Sequence, residues 1–245
     1  MDLESIFKSI SFNLKPNDDY RKAYLFRIKK GFYKLLDLEK KFIFDNCVLD
    51  KDTENINLKK ALLKIDSMST YAIGYLVNQI CSRLSKNQIY LNIGCWKGFT
   101  LISGMIDTSC KVIGVDNFSQ FDGPKKEFYS NFEKYRNKKK HFFYDEDYKI
   151  FFKNFEKKQD KINFYYYDGE HSYKNQYENL EIANNFLVKG SIVFIDDVNF
   201  SEVEKGTKDF LNKTQSDYKV IREIKTANNH CHPSYWNGIM ILEKQ

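Results

Sequence analysis

From residue 88 onward, short apolar runs alternate with segments of helical spacing. The runs are IYLNI (89–93), KVIGVD (111–116), HFFY (141–144), INFYYYD (162–168) and SIVFIDD (191–197). Helical spacing covers 98–107, 124–139, 146–158, 174–188 and 201–213. Runs that are apolar on both faces, each followed by a helix, predict a parallel sheet covered on both sides. Two further runs, YKVIREI (218–224) and WNGIMILEK (236–244), have no helix between them. They predict an antiparallel hairpin at the sheet edge. The expected fold class is α/β, with a doubly wound, mostly parallel sheet of seven strands in the order 3-2-1-4-5-7-6.

Upstream, residues 20–46 place apolar side chains at Tyr24, Ile28, Phe32, Leu35 or Leu36, and Phe42 or Ile43. That is helical spacing, interrupted near Gly31. A polar stretch, DKDTENINLKK, follows, and MSTYAIGYLVNQICSRLS (68–85) reads as a second helix. The pattern predicts a helical cap or oligomerisation segment over 1–66 and a sheet domain over 67–245. A homo-oligomer joined through the N-terminal helices is expected.

Composition changes this picture little. Lys and Asn are abundant and Pro is scarce, and 21 Phe and 17 Tyr dominate the aromatics. The net charge of +6 is carried largely by KKEFYSNFEKYRNKKK (125–140). Phe128, Phe132 and Tyr135 share one face there, so an amphipathic helix with a solvated basic face is expected. A nucleic-acid patch is the alternative. Five scattered cysteines with no CxxC pair argue against a disulfide framework or structural zinc, and fit a reducing cytoplasm. The acidic start MDLESIFKSI does not resemble a signal peptide, and no run is long and apolar enough to span a membrane.

In such a sheet, ligands bind at the carboxyl ends of the strands, where strand order reverses. After the first main strand comes Asn92-Ile-Gly94-Cys95-Trp96-Lys97-Gly98-Phe99-Thr100. The two glycines bracket a tight turn that opens a helix, and glycine permits positive φ and close ligand approach. The second strand ends at Asp116, followed by Asn117, where a carboxylate can accept both hydroxyls of a ribose. A nicotinamide dinucleotide needs G-x-G-x-x-G for its pyrophosphate. Gly-x-x-x-Gly followed by Phe suits a nucleoside with an amino-acid tail, as in S-adenosylmethionine. A plain strand–helix turn is the alternative.

The fourth strand ends at Asp168 and the fifth at Asp196-Asp197. Neighbouring strands would bring three carboxylates together, and their repulsion calls for a cation. All-oxygen ligands favour Mg²⁺ or another hard divalent ion. Alternatively, one of the pair merely caps a helix or turn. His171, beside Asp168, is a candidate general base, the alternative being a histidine that holds the loop. The hairpin connection TANNHCHPSY (226–235) puts His230, Cys231 and His232 at the same sheet end, as substrate-pocket residues or as a plain loop.

With these residues in hand, about residues 65–243 resemble the class I S-adenosylmethionine-dependent methyltransferases, whose fold is Rossmann-like. Within that class the chain is most similar to the macrocin-type sugar O-methyltransferases and their cephalosporin-biosynthesis relatives. IYLNIGCWKGFTL resembles the glycine motif, VIGVDNFS the ribose motif, YYYDGEHSYKN the Asp-Gly-x-His-x-Tyr motif, and FIDDVN the Asp-Asp motif. The resemblance implies that Gly94, Cys95, Trp96, Lys97 and Gly98 wrap the methionine part of the cofactor and that Asp116 holds the ribose. It implies that Asp145-Glu146-Asp147 lies near the adenine, and that Asp168, Asp196 and Asp197 are metal ligands. In catechol-type relatives a lysine base follows the first metal Asp by three residues, the place of His171. Position 92 departs from the pattern: it is Asn where most relatives carry Glu or Asp.

The expected function is therefore divalent-metal-assisted O-methylation of a sugar or sugar-containing small molecule, with His171 and Asp168 catalytic. Phenol or catechol O-methylation is the runner-up. RNA methylation or binding through 125–140 is the alternative of a different class, and the carboxylate cluster speaks against it. A cofactor-binding protein that has lost catalysis is a third reading, with Asn92 as its support.

Overall fold

A computed structural model describes residues 1–19, 38–50, 53–158, 160–228 and 231–245. The helix expected across 20–46 falls largely outside them. Nine strands are described. β1 (Ile10–Phe12) and β2 (Cys47–Leu49) form a small antiparallel pair. The main sheet holds β3 (Ile89–Ile93), β4 (Lys111–Val115), β5 (His141–Tyr144), β6 (Ile162–Tyr167), β7 (Leu187–Asp196), β8 (Tyr218–Ile224) and β9 (Ile239–Lys244). Its order is β5-β4-β3-β6-β7-β9-β8, which is the expected 3-2-1-4-5-7-6. β3 to β7 are parallel, and β9 runs antiparallel to both β7 and β8. The fold is the α/β Rossmann-like arrangement.

Side-chain alternation along the strands builds two apolar layers. Tyr90, Phe164, Tyr166 and Phe194 face one side and pack with α4 (Tyr71–Ser82), α5 (Phe99–Ser103) and α6 (Lys125–Tyr135). Leu91, Tyr165, Tyr167 and Val193 face the other, against α7 (Tyr148–Phe155), α8 (Tyr173–Asn184) and α9 (Ser201–Thr214). α4 is apolar nearly all round because it is buried nearly all round.

The N-terminal third is not wholly helical. Besides α1 (Leu3–Lys8) and α2 (Leu38–Asn46) it contributes the β1–β2 pair. The polar stretch after residue 50 leads into α3 (Ile56–Leu62), which Asn55 caps by accepting from Asn57 N and Leu58 N, both at 3.0 Å. Leu3, Ile6 and Phe44 are buried in the same layer as α4, with Phe44 stacked on Tyr71 at 5.2 Å. Backbone bonds tie this segment to the loop before β9: Ala227 N donates to Pro16 O at 2.8 Å.

Candidate active site

The carboxyl ends of β3, β4, β6 and β7 surround a cavity of about 510 Å³. Its wall includes Gly94, Trp96, Asp116, Asn117, Asp168, His171 and Asp197 among the expected residues. Gly94 is required where it stands. Its φ is +79°, and a Cβ would fall on the carbonyl oxygen of Asp168. The ends of β3 and β6 therefore meet backbone to backbone, and the crevice opens beside them.

Asp116 organises the glycine turn. Its Oδ2 accepts from Cys95 N at 2.7 Å and Trp96 N at 2.8 Å, and its Oδ1 accepts from Phe118 N at 2.7 Å. The expected ribose acid thus stands at the cavity wall and also braces the loop. A carboxylate offers about four lone-pair sites and three are taken here, so one remains, on Oδ1, for a ribose hydroxyl. The Trp96 indole N–H is buried without a partner among the described residues. Asn117 accepts from Ser119 N at 3.1 Å.

Other expected cofactor residues support the loop from behind. Asn92 is fully buried. Its Oδ1 accepts from the Thr100 hydroxyl at 2.8 Å, and its Nδ2 donates to Gly94 O at 3.1 Å. An amide can do both at once, whereas an ionised Asp or Glu only accepts, which gives a structural reason for Asn here. Cys95 is buried beneath the turn, and Gly98 opens α5 facing Ile102 and Phe128. Lys97 turns outward to Asp66 at 2.9 Å. Asp145 pairs with Lys125 and does not line the cavity, whereas Glu146 and Asp147 do.

The three-carboxylate arrangement expected from sequence is revised. Asp168, His171 and Asp197 converge, each offering a ligand atom within 4.8 Å of the others. Asp196 points into the sheet instead, where the Tyr166 hydroxyl donates to its Oδ2 and Asp197 N to its Oδ1 at 2.9 Å. β7 ends at Asp196, and Asp197 follows in a left-handed conformation with φ +59°, so only one of the pair reaches the cavity. Burial, with Asp168 and Asp197 nearby, pushes the Asp196 carboxyl well above the usual range.

His171 Nε2 lies 2.9 Å from Asp197 Oδ2 and 3.7 Å from Asp168 Oδ1. Burial opposes its protonation, but the two carboxylates outweigh burial and raise its pKa to about 10. Burial raises Asp168 to about 6 despite the nearby His171. In this arrangement His171 Nε2 faces both carboxylates but makes no well-aligned hydrogen bond to either. The donor set of two carboxylates and one imidazole fits a divalent cation, with nitrogen broadening the choice beyond Mg²⁺.

His232 is corrected. It is fully buried, with Nδ1 2.7 Å from Ser234 Oγ and Nε2 3.0 Å from Asp18 O. It ties the loop to the N-terminal segment and does not line the cavity. His230 lies outside the described residues, while Cys231 does line the cavity. Sequence reasoning missed Phe121, Phe200, Trp236 and Asn237, all in the wall. A signal for the last two existed: β9 is antiparallel, so the residues before it return to the ligand-binding edge.

Residues 91–198 match a family model described as a methyltransferase domain. No curated protein sequence matches the chain. An O-methyltransferase from Bacillus cereus, solved with S-adenosylhomocysteine, is similar in structure at 13% identity with a TM-score of 0.60. The match covers 84% of this chain and 96% of that one. TomG from Streptomyces achromogenes, an O-methyltransferase involved in tomaymycin synthesis and solved with S-adenosylmethionine, is 12% identical with a TM-score of 0.56. That match covers 78% of this chain and 91% of TomG. Residues 91–198 are thus similar to a methyltransferase domain, and the chain shares its α/β Rossmann-like fold with these O-methyltransferases.

Proposed function

We propose that the protein methylates a hydroxyl of a sugar or sugar-containing small molecule, using S-adenosylmethionine and a divalent cation. The observation that carries this reading is the convergence of Asp168, His171 and Asp197 in the same cavity as Gly94 and Asp116. S-adenosylmethionine supplies an already activated methyl group, so what an alcohol lacks is a lowered pKa and alignment. Gly94, Trp96 and Asp116 are the residues placed to hold it. A divalent cation held by Asp168 and Asp197 would supply Lewis acidity toward the hydroxyl. His171 stands where it can take the hydroxyl proton once the charge of its two carboxylates is neutralised. Asp168 and Asp197 orient it.

The O-methyltransferase neighbours support hydroxyl acceptors; the sugar rests on the motif resemblance. A catechol is the second reading, because a vicinal phenol presents the same two oxygens to the same cluster. RNA is disfavoured by the carboxylates at the cavity, which repel phosphates. No described helix is long and apolar enough to cross a membrane. The five free cysteines accord with a cytoplasmic setting. Leu3 and Ile6 are spent on the chain's own core, so oligomerisation through the N-terminal helices would use their other faces.

The test is a methyl-transfer screen over sugar nucleotides and catechols, with and without EDTA. A sugar acceptor with EDTA-sensitive turnover is expected. Turnover on catechols alone favours the second reading, and undiminished turnover in EDTA removes the cation.

A further inference from the structure

We propose that Asn237 is the positioning residue that presents Asp197 to the cation, an inference that rests on the cation reading above. Asn237 precedes β9 and lines the cavity. It is only 5% exposed. Its Nδ2 donates to Asp197 Oδ1 at 2.8 Å. An ionised carboxylate cannot donate, so the amide nitrogen faces Asp197 and the amide oxygen must face elsewhere. That oxygen is buried and has no hydrogen-bond partner among the described residues. Buried polar groups are satisfied in most folded proteins, so an orphan at a cavity wall marks a place for a ligand's O–H.

Asp197 needs such a brace. Its φ is +59°, a left-handed conformation that the surroundings must enforce. With Oδ1 held by Asn237, Oδ2 is left toward His171. Asn237 is itself anchored. Its carbonyl accepts from Asn199 N at 2.8 Å. The following Gly238 has φ +84°, and a Cβ there would crowd Ile224 O at 2.8 Å and Asn199 Oδ1 at 2.6 Å. The amide therefore joins two jobs: Nδ2 fixes a ligand carboxylate, and Oδ1 accepts from an O–H held at the cation. That O–H belongs to a water or to the methyl acceptor.

The experiment titrates Mn²⁺ calorimetrically into wild-type protein and N237A, both loaded with S-adenosylhomocysteine. A second arm adds 4-nitrocatechol as a vicinal-diol probe. N237A should bind Mn²⁺ about 10- to 100-fold more weakly, the usual effect of removing a group that orients a metal ligand. Its S-adenosylhomocysteine affinity should not change, which separates positioning from damage to the fold. An equal weakening in both arms assigns the O–H to water. A further loss confined to the 4-nitrocatechol arm assigns it to the acceptor. Unchanged Mn²⁺ affinity in N237A overturns the proposal while leaving the cation reading intact. Wild-type protein that binds S-adenosylhomocysteine but no Mn²⁺ overturns both. Should N237A fail to fold, N237V takes its place, since it fills more of the volume and carries no side-chain donor.

Discussion

Asn92 shows how much a single buried side chain decides. It satisfies Thr100 through its oxygen and Gly94 through its nitrogen. The sequence marked it as a departure from an acidic pattern, the support for a cofactor-binding protein that has lost catalysis. The geometry gives it a different task, bracing the turn on which Gly94 sits. N92D removes the donor to Gly94 and places a charge at a fully buried site. It should lower the unfolding free energy by about 1–3 kcal/mol, read from the urea midpoint at constant slope. An unchanged midpoint would contradict the role assigned here. Lys97, Asp145 and His232 teach the same lesson from the other side. Each sits at the expected place in the chain, yet Lys97 turns to Asp66, Asp145 to Lys125 and His232 into the loop core. Spacing fixes where a residue stands along a strand or loop. Which way its side chain turns depends on partners far away in sequence.

The elements of the main sheet were legible because each strand is a compact apolar run followed by a helix. Burial on both faces writes that pattern directly into the sequence. The hairpin of β8 and β9 was legible for the same reason, since nothing helical separates the two runs. The β1–β2 pair was not. Each of its strands is three residues long, and they lie far apart in the chain, so neither shows an alternation by itself. α3 was hidden by its charged face, with Asn55 as its one clear signal. The end of β7 carries the sharpest consequence at this scale. The left-handed turn at Asp197 takes it to the cavity, while Asp196, the last residue of the strand, stays in the sheet under Tyr166. D196N should leave Mn²⁺ affinity within about twofold of wild type, while D197N should lower it by at least the 10- to 100-fold expected for disturbing a ligand's surroundings. The reverse ranking in a calorimetric titration would restore Asp196 as a ligand.

At the scale of the whole molecule, the sheet gathers the ends of four parallel strands around one cavity, and the antiparallel β9 adds Trp236 and Asn237 from the far side. The N-terminal segment shares the α4 layer of the core and bonds to the loop before β9. The segment expected as a helical cap or oligomerisation element thus packs on the sheet domain's own core. All of this rests on the cavity being the place where S-adenosylmethionine binds. The direct measurement is calorimetric titration of S-adenosylhomocysteine into wild-type protein and D116A. One equivalent should bind the wild type, with at least a tenfold loss in D116A, because Asp116 lines the cavity and ties down Cys95 and Trp96. Absence of binding to the wild type, or full affinity in D116A, would contradict this placement.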